Sequence, residues 1–431
     1  MNRFIITTLG CKVNRCESDA LAEALKTEGW YPAQDKESAD LCIINTCTVT
    51  QKASMQSRQA IRQIIRSSPH ARVIVTGCYA EIGADEIKKI EGVFDVVGHE
   101  DKLNIPEMLK ADKSQTGKRK TSVFDFQLST SRTRPFLKIQ DGCNAFCTYC
   151  IVPYTRGRSR SMPLDDVLEN IRKLKAAGYR EAVLAGIHLG CYGLDLSPAV
   201  SLSELIRLIN ESKMMDRVRL SSVEPNELSD EIIRLVAMSE HLCRHFHIPL
   251  QSGDDNILKR MHRPYTAHFF RDLVMNIRTA VPDAAVGTDI LVGFPGESKT
   301  AFENTYGLIE QLSITYLHVF PFSPRKGTPA DTYPDRVPLK VIKQRCQDMR
   351  ELGIRKKNEF YKKLIGKTVE ILIESKRDKF SGLLKGITSN YVPVLTEGDD
   401  SLKNTFVQVR IEEINGSNRV RGQGFGVRGQ G

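Results

Sequence analysis

Three cysteines that stand close together carry the clearest chemical signal in this chain. They are Cys143, Cys147 and Cys150, within the segment Asp141-Gly142-Cys143-Asn144-Ala145-Phe146-Cys147-Thr148-Tyr149-Cys150. A structural zinc site usually closes with four ligands in two Cys-x-x-Cys pairs, whereas the next cysteine here is Cys191. Three thiolates on a 4Fe–4S cluster would leave one iron open to a substrate. We therefore expect an iron–sulfur centre, with a zinc site or inert thiols as the alternative.

Three further cysteines share a position in the predicted secondary structure. Cys11, Cys47 and Cys78 each come directly after one of the first three predicted β-strands. The carboxyl ends of parallel strands share one edge of an open sheet, and Gly10 and Gly77 permit tight turns there. We expect the three thiols to meet at this edge and hold a second cluster. Taken singly, each would be an ordinary buried thiol.

The elements that must position the second set form an N-terminal domain over residues 1–112. Apolar runs predict strands at residues 4–9, 41–45, 72–76 and 94–97, and helical periodicity predicts helices at residues 17–28 and 53–67. Strands joined by helices imply an open parallel α/β sheet with right-handed crossovers.

The compact cysteine motif belongs to a second α/β region over residues 133–335, after a polar linker at residues 113–132. Six predicted strands alternate there with helices, at residues 136–140, 181–185, 218–223, 245–250, 286–292 and 316–320. Six such units predict a partial (β/α)6 TIM-like barrel, and barrel enzymes place their chemistry directly after barrel strands.

The last part of the chain is basic. Of the net charge of +10, nine come from residues 336–431, which hold 20 Lys and Arg against 11 Asp and Glu. We predict a basic helix at 336–365, a small β-barrel at 366–415 and a disordered Gly/Arg tail at 416–431. The excess charge suits a polyanion such as nucleic acid, and a solvated surface is the alternative.

Composition limits the remaining classes. A hydrophobic content of 41% with 26% charged residues is typical of a soluble globular protein. No segment has the unbroken apolar length of a membrane span, and the first ten residues read as a strand instead of a signal peptide. The 11 cysteines are an odd number, which argues against a disulfide framework. We expect a cytoplasmic protein.

The Cys-x-x-x-Cys-x-aromatic-Cys spacing resembles the radical S-adenosylmethionine superfamily. The resemblance implies that Cys143, Cys147 and Cys150 hold a 4Fe–4S cluster whose open iron chelates S-adenosylmethionine. One electron would then cleave the cofactor and release a 5′-deoxyadenosyl radical. Tyr149 would lie against the adenine of the cofactor, or would be an ordinary core aromatic.

Nearly the whole chain, from Phe4 to about Glu413, resembles the methylthiotransferase family within that superfamily. The matching segments include residues 8–14, 45–50, 77–80, 247–253 and 287–297. The resemblance implies an N-terminal domain with an auxiliary 4Fe–4S cluster on Cys11, Cys47 and Cys78. It further implies a radical barrel and a C-terminal TRAM domain that binds RNA.

The motif Thr8-Leu9-Gly10-Cys11-Lys12-Val13-Asn14 resembles the branch that acts on N6-threonylcarbamoyladenosine beside the tRNA anticodon. The product would be the 2-methylthio form of that nucleoside. Methylthiolation of isopentenyladenosine in tRNA, or of an aspartate in a ribosomal protein, is the alternative within the family. A noncatalytic RNA-binding protein with structural metal is the alternative outside it. A flavodoxin or ferredoxin is the expected electron donor by analogy, and the sulfur donor is not identified.

Four softer candidates follow barrel strands. Gly186 could let the methionine end of the cofactor approach, or be an ordinary turn. Glu224 could contact the ribose or the amino group of the cofactor, or cap a helix. Gln251 and Ser252 are predicted pocket residues.

Overall fold

The structure is a computed structural model that describes residues 2–110, 124, 132–415 and 419–427. Its elements form three units along the chain: an open sheet, a partial barrel and a small closed barrel. The predicted linker at 113–132 lies outside the described residues except for Phe124 and Arg132. Phe124 packs against the core of the partial barrel, with its ring under the Lys138 ammonium.

The N-terminal sheet is parallel throughout and has the strand order β2-β1-β3-β4-β5. Its strands are β1 (Arg3–Thr8), β2 (Tyr31–Pro32), β3 (Leu41–Thr46), β4 (Arg72–Gly77) and β5 (Asp95–Val96). Its helices are α1 (Lys12–Thr27), α2 (Gln51–Ser67), α3 (Cys78–Lys88) and α4 (Ile105–Met108). The central strand β3 is buried along its whole length, with one apolar cluster on each face. The predicted parallel α/β sheet is confirmed.

Two details of this sheet differ from the expectation. Helix α1 begins at Lys12, directly after Cys11, instead of at residue 17. Three of its first four residues are polar, so apolar periodicity starts only further along, although Val13 and Asn14 are already buried. The short strand β2 also went unpredicted, because its two residues are exposed and carry no alternation.

The middle unit is a partial barrel of six parallel strands in chain order. Strands β10-β9-β6 and β11-β12-β13 form two sheets, and a parallel bridge between Ser222 and His247 joins them. The six barrel strands are β6 (Phe136–Lys138), β9 (Glu181–Ala185), β10 (Arg217–Leu220), β11 (His245–His247), β12 (Ala285–Val292) and β13 (Tyr316–Pro321). Between β6 and β9 lie two further short strands, β7 (Gln140–Asp141) and β8 (Arg160–Ser161). The helices are α5 (Val152–Arg156), α6 (Leu164–Ala176), α7 (Leu202–Glu211), α8 (Asp230–Met238), α9 (Asp255–Arg260), α10 (Ala267–Ala280) and α11 (Lys299–Gln311).

Three of the six barrel strands are shorter than the predicted apolar runs. The run at 218–223 leaves the regular strand after Leu220, and the run at 245–250 leaves it after His247. Val223, Ile248 and Leu250 lie beyond these points and are buried all the same, so apolar character persists where strand pairing ends. The antiparallel pair β7–β8 brackets the cysteine motif and brings both ends of that segment together.

The C-terminal unit is a closed barrel with the strand order β14-β15-β16-β18-β17. The long helix α12 (Leu339–Lys362) precedes it and packs against β13. The strands are β14 (Thr368–Ile373), β15 (Leu384–Thr388), β16 (Pro393–Thr396), β17 (Phe406–Asn415) and β18 (Arg419–Val427). An apolar cluster fills its interior.

The prediction of a disordered tail over residues 416–431 is wrong for Arg419–Val427. This segment pairs antiparallel with β17 and parallel with β16, and it closes the barrel. A Cβ at Gly422 would lie 2.5 Å from the Arg410 carbonyl oxygen, so the glycine permits a close approach of the two strands. The small barrel therefore extends beyond the predicted end at residue 415. Among the described helices, none combines the length and the apolar character needed to cross a bilayer.

Deleting residues 419–431 should open the small barrel and leave the N-terminal sheet intact. The β17 amides that donate to β18 should exchange about tenfold faster or more, because each lost hydrogen bond contributes about 1–1.5 kcal/mol. Hydrogen exchange read by mass spectrometry measures this. Deleting residues 428–431 alone retains β18 and is the matched control. Equal protection of β17 in the two truncated proteins would contradict the strand assignment.

Candidate functional site

The first three long strands deliver three cysteines to one edge of the N-terminal sheet. Cys11 precedes α1, Cys47 follows β3 and Cys78 begins α3. Strands β1, β3 and β4 are neighbours, so these sheet-edge cysteines (Cys11, Cys47 and Cys78) lie together. Burial raises the pKa of the Cys47 thiol to about 11, and the nearby Cys78 and Cys11 thiols contribute in the same direction.

Two glycines make this approach possible. Gly10 has a φ of +97°, and a Cβ there would lie 2.9 Å from the Cys47 sulfur. Gly77 has a φ of +93°, and a Cβ there would lie 2.5 Å from Asn45 Oδ1. Left-handed backbone together with so little room permits only glycine at either position.

The barrel cysteines (Cys143, Cys147 and Cys150) lie on the loop between β7 and α5. The Ala145 backbone N–H donates to Cys143 Sγ at 3.4 Å, and His188 Nδ1 lies 3.3 Å from the same sulfur. Burial raises the pKa of the Cys150 thiol to about 12, with the other two thiols adding to the effect.

One guanidinium also reaches this loop. Arg263 Nη1 donates to Cys147 Sγ at 3.2 Å, and its other terminal nitrogen pairs with the Glu224 carboxylate. The ring of Tyr149, between two of the barrel cysteines, meets the Phe294 ring edge-on at a centroid distance of 6.5 Å. Two of the predicted cofactor contacts, Tyr149 and Glu224, thus lie at or beside the barrel cysteines.

The other three predicted contacts differ in their surroundings. A Cβ at Gly186 would lie 3.0 Å from Gln140 Oε1, so that side chain closes the space beside the glycine. Gln251 has a φ of +68° and hydrogen-bonds to β12 through its backbone. The buried Ser252 hydroxyl lies 3.3 Å from Thr305 Oγ1 of α11. The structure therefore places the Ser252 hydroxyl against α11.

Both sets of thiols are suited to iron. All 11 cysteines are free. Burial raises the pKa of the Cys11, Cys47 and Cys150 thiols, so a bare thiolate would be costly at these three positions. A bound cation removes that cost by stabilising the deprotonated sulfur. The N–H groups that point at Cys143 and Cys147 are of the kind that adjust the potential of iron–sulfur clusters. Each set offers three sulfurs, which agrees with the predicted ligand number.

A buried polar junction joins the two cysteine-bearing regions, with Arg156 at its centre. Arg156 Nη1 donates to Glu17 Oε1 at 2.9 Å and to Asp141 Oδ1 at 2.8 Å, and Nη2 donates to Asn14 Oδ1. Asn14 and Glu17 lie on α1 behind Cys11, whereas Asp141 and Arg156 flank the barrel cysteines. The full buried junction comprises Asn14, Glu17, His99, Lys102, Lys138, Asp141 and Arg156.

The charges of the buried junction compensate one another. Lys102 and Lys138 both donate to the Glu17 carboxylate. Burial alone would raise the pKa of Glu17, but Arg156 and the two lysines outweigh it and hold that pKa well below its usual range. The pKa of Asp141 is lowered in the same way, against its burial, by Lys138 and Arg156. Both carboxylates are therefore ionised and fully paired.

Sequence reasoning missed Arg156, Arg263 and His188. Arg156 stands six residues after Cys150, at the end of α5, and could have been suspected from that proximity. Arg263 lies more than a hundred residues further along, in a segment without a recognisable motif. It reaches Cys147 only because the barrel closes.

Comparison with protein-family models gives two matches. Residues 3–98 match the uncharacterized protein family UPF0004, and residues 137–309 match the radical SAM superfamily. These ranges contain the sheet-edge cysteines and the barrel cysteines, respectively.

Curated relatives match almost the whole chain. A threonylcarbamoyladenosine tRNA methylthiotransferase of Bacillus subtilis is 38% identical over 94% of this chain and 92% of its own length. A tRNA-2-methylthio-N(6)-dimethylallyladenosine synthase of Clostridium botulinum is 34% identical over 96% of this chain and 95% of its own. The radical S-adenosylmethionine methyltransferase TsrM of Kitasatospora setae shares the fold, with a TM-score of 0.54 at 16% identity over 77% of each chain.

Replacing Arg156 should destabilise the N-terminal domain, although this arginine belongs to the barrel. In Arg156→Gln the buried Glu17 and Asp141 lose a shared partner, which should lower the free energy of unfolding by about 3 kcal/mol. Trp30, the one tryptophan of the sequence, packs in the N-terminal domain. Its fluorescence during urea unfolding therefore reports on that domain.

Arg172→Gln is the matched control, because it removes an exposed pair with Glu169, and such pairs contribute about 0–1 kcal/mol. If Arg156→Gln and Arg172→Gln gave the same urea midpoint, the junction would not couple the two units.

Proposed function

We propose a reaction for this chain from one premise: it belongs to the methylthiotransferase family of radical S-adenosylmethionine enzymes. The enzyme methylthiolates carbon 2 of N6-threonylcarbamoyladenosine, next to the anticodon of tRNA. The observation that carries the proposal is the pair of three-cysteine sites, held on either side of one buried polar junction. Carbon 2 of adenine is an unactivated C–H position, which no side-chain acid or base of the site could deprotonate.

We assign the ligands of the two 4Fe–4S clusters to the two cysteine sets. The barrel cysteines would hold the cluster that binds S-adenosylmethionine, and the sheet-edge cysteines would hold the auxiliary cluster. Once bound, these groups supply radical cleavage of the cofactor and transfer of sulfur. The other residues of the site would bind and orient the clusters and the cofactor and shield them from water.

The protein's own residues act around the barrel cysteines. Arg263 donates to Cys147 Sγ and is itself held by Glu224, so the pair orients one ligand and adds positive charge beside it. His188 lies against Cys143 and pairs with Glu227 at 2.7 Å. Tyr149, Gly186, Glu224, Gln251 and Ser252 remain our candidates for contacts with the cofactor. Of these, Tyr149 has the best support, because it stands between two ligand positions.

The small barrel has the features of an RNA-binding unit, as expected for a TRAM domain. Its β14–β15 loop carries Lys376, Arg377, Lys379 and Phe380, and Phe380 is 85% exposed. Cations contact phosphates and exposed aromatic rings stack on bases. This loop also borders a cavity of about 460 Å³ that Lys12, next to Cys11, lines as well. RNA bound to the loop would therefore lie near the auxiliary cluster.

N6-threonylcarbamoyladenosine is favoured over the other candidate substrates. Identity is higher to the relative named for threonylcarbamoyladenosine than to the one named for dimethylallyladenosine, at 38% against 34%. A ribosomal-protein substrate leaves the basic loop unexplained, and a noncatalytic RNA-binding role leaves the radical motif unexplained.

We further propose a flavodoxin or ferredoxin as electron donor and a cytoplasmic location. The sulfur donor stays unassigned.

The test is nucleoside mass spectrometry of tRNA from cells that lack the gene and carry it back as wild type or as a variant. Wild type should restore 2-methylthio-N6-threonylcarbamoyladenosine. The triple variant of Cys11, Cys47 and Cys78 to Ala should leave the precursor and lose about half of the iron, because only one cluster site remains. The triple variant of the barrel cysteines to Ala should likewise leave the precursor and lose about half of the iron.

Cys243→Ala is the matched control, because this cysteine is buried and the charges that act on it come from Arg219, Glu181 and other arginines instead of cysteines. If the sheet-edge triple variant kept full methylthiolation, the auxiliary-cluster assignment would be wrong. If wild type restored a methylthio-isopentenyl nucleoside instead, the chemistry would stand and the substrate would change.

The β14–β15 loop should supply part of the salt-dependent RNA affinity. Replacing Lys376 and Lys379 by Gln should reduce the slope of log affinity against log salt by about 1.5, since each phosphate contact contributes about 0.7–0.9. Filter binding at several salt concentrations measures the slope. The double variant of the exposed Lys88 and Lys89, at the end of α3, is the control for lost charge. An unchanged slope in the loop variant would exclude the loop from the RNA interface.

A further inference from the structure

One lysine beside the sheet-edge cysteines has no partner. Lys12 directly follows Cys11 and is the first residue of α1. Its side chain is exposed within the cavity of about 460 Å³. Among the residues that the structure describes, no acidic side chain lies within ion-pair distance of its ammonium, and no hydrogen bond engages it. A cation at this position has no structural task in the protein alone.

The cavity itself selects for negative charge. Eight of its lining residues are Lys or Arg and two are acidic. Five of the cations are engaged by carboxylates: Arg132, Arg134, Arg219, Arg377 and Lys385. The remaining three are Lys12 and the two loop lysines, Lys376 and Lys379. Of these three, only Lys12 lies on the N-terminal domain, one residue after Cys11.

A barrel carboxylate whose charge acts on Lys12 already has partners. Asp289 is held by His247 at 3.2 Å and by His318 at 3.1 Å. Lys12 is also near Arg134 and Arg219, and both guanidinium groups are engaged by carboxylates. The ammonium therefore faces the cavity as a free positive charge among other cations. An anion that entered there would relieve their mutual repulsion.

We propose that Lys12 binds the carboxylate of the threonylcarbamoyl group and so selects this nucleoside over one with an uncharged substituent. This inference rests on the proposed function. The reacting carbon must come close to the sheet-edge cysteines, and the N6 substituent projects from the same ring. A cation one residue from Cys11, on a flexible four-carbon stem, can meet a charge on that substituent. An isopentenyl group offers no such charge.

The closing experiment compares two anticodon stem-loop RNAs that differ in one group. One carries N6-threonylcarbamoyladenosine, and the other carries its primary amide in place of the carboxylate. Fluorescence anisotropy with the full-length, iron-loaded protein gives both affinities at one salt concentration. Wild type should prefer the carboxylate RNA by about tenfold, the size expected of a hydrogen bond to a charged group.

Lys12→Gln should abolish this preference by weakening only the carboxylate RNA. Lys12→Arg retains the charge and should keep most of the preference for the carboxylate RNA. Lys89→Gln is the control and should behave as wild type. Iron content and circular dichroism of each variant check that cluster and fold are retained. If wild type itself bound both RNAs equally, the inference would be overturned without any variant.

Two further results would also overturn it: equal weakening of both RNAs in Lys12→Gln, which identifies a phosphate contact, or a preference that survives the substitution. Nucleoside mass spectrometry distinguishes a failure of this inference from a failure of the proposed function. If wild type does not methylthiolate threonylcarbamoyladenosine, the proposed function fails. If it does, and the preference does not depend on Lys12, only the present inference fails.

Discussion

The arrangement of the two cysteine sets depends on the pairing of buried charge around Arg156. Its guanidinium is shared by Glu17 from helix α1 of the N-terminal domain and by Asp141 from the barrel, and both carboxylates are buried. Separating the two units would leave ionised groups without partners in a medium that solvates them poorly, at a cost of several kcal/mol. The separation of the two sites is thus set by buried, paired charges.

A second contact holds the other side of the N-terminal domain. Arg325, after the last barrel strand, donates to Thr48 Oγ1 at 2.5 Å and to Ser54 Oγ at 3.1 Å. Thr48 directly follows Cys47, as Asn14 closely follows Cys11. Two arginines from the barrel therefore fix two of the three loops that carry the sheet-edge cysteines. A sulfur held on those loops cannot shift relative to the barrel without breaking one of these contacts.

The sequence alone predicted the residues that recur at the same position relative to a strand. It missed the residues that come together only when the barrel closes. Cysteines that directly follow strands identify the edge of a parallel sheet, so Cys11, Cys47 and Cys78 could be grouped in advance. Arg263 could not, because nothing in its neighbourhood indicates that it will meet Cys147. Strand β18 was missed for a different reason. Its glycines resemble low-complexity sequence, yet Gly422 is required by the close approach to Arg410 on β17.

The RNA-binding unit is tied to the same framework. Arg217 and Arg219 of β10 donate to backbone carbonyls of the β15 region, to Ile387 at 3.2 Å and to Thr388 at 3.1 Å. Arg219 also pairs with the buried Glu181, so this contact too consists of compensated buried charge. The unit that would grip RNA and the unit that would cleave the cofactor are therefore joined rigidly. With both ends fixed, the position of a nucleoside relative to the cysteines follows from where the RNA backbone is held. Discrimination between nucleosides is then left to the few side chains that face the cavity without a partner of their own.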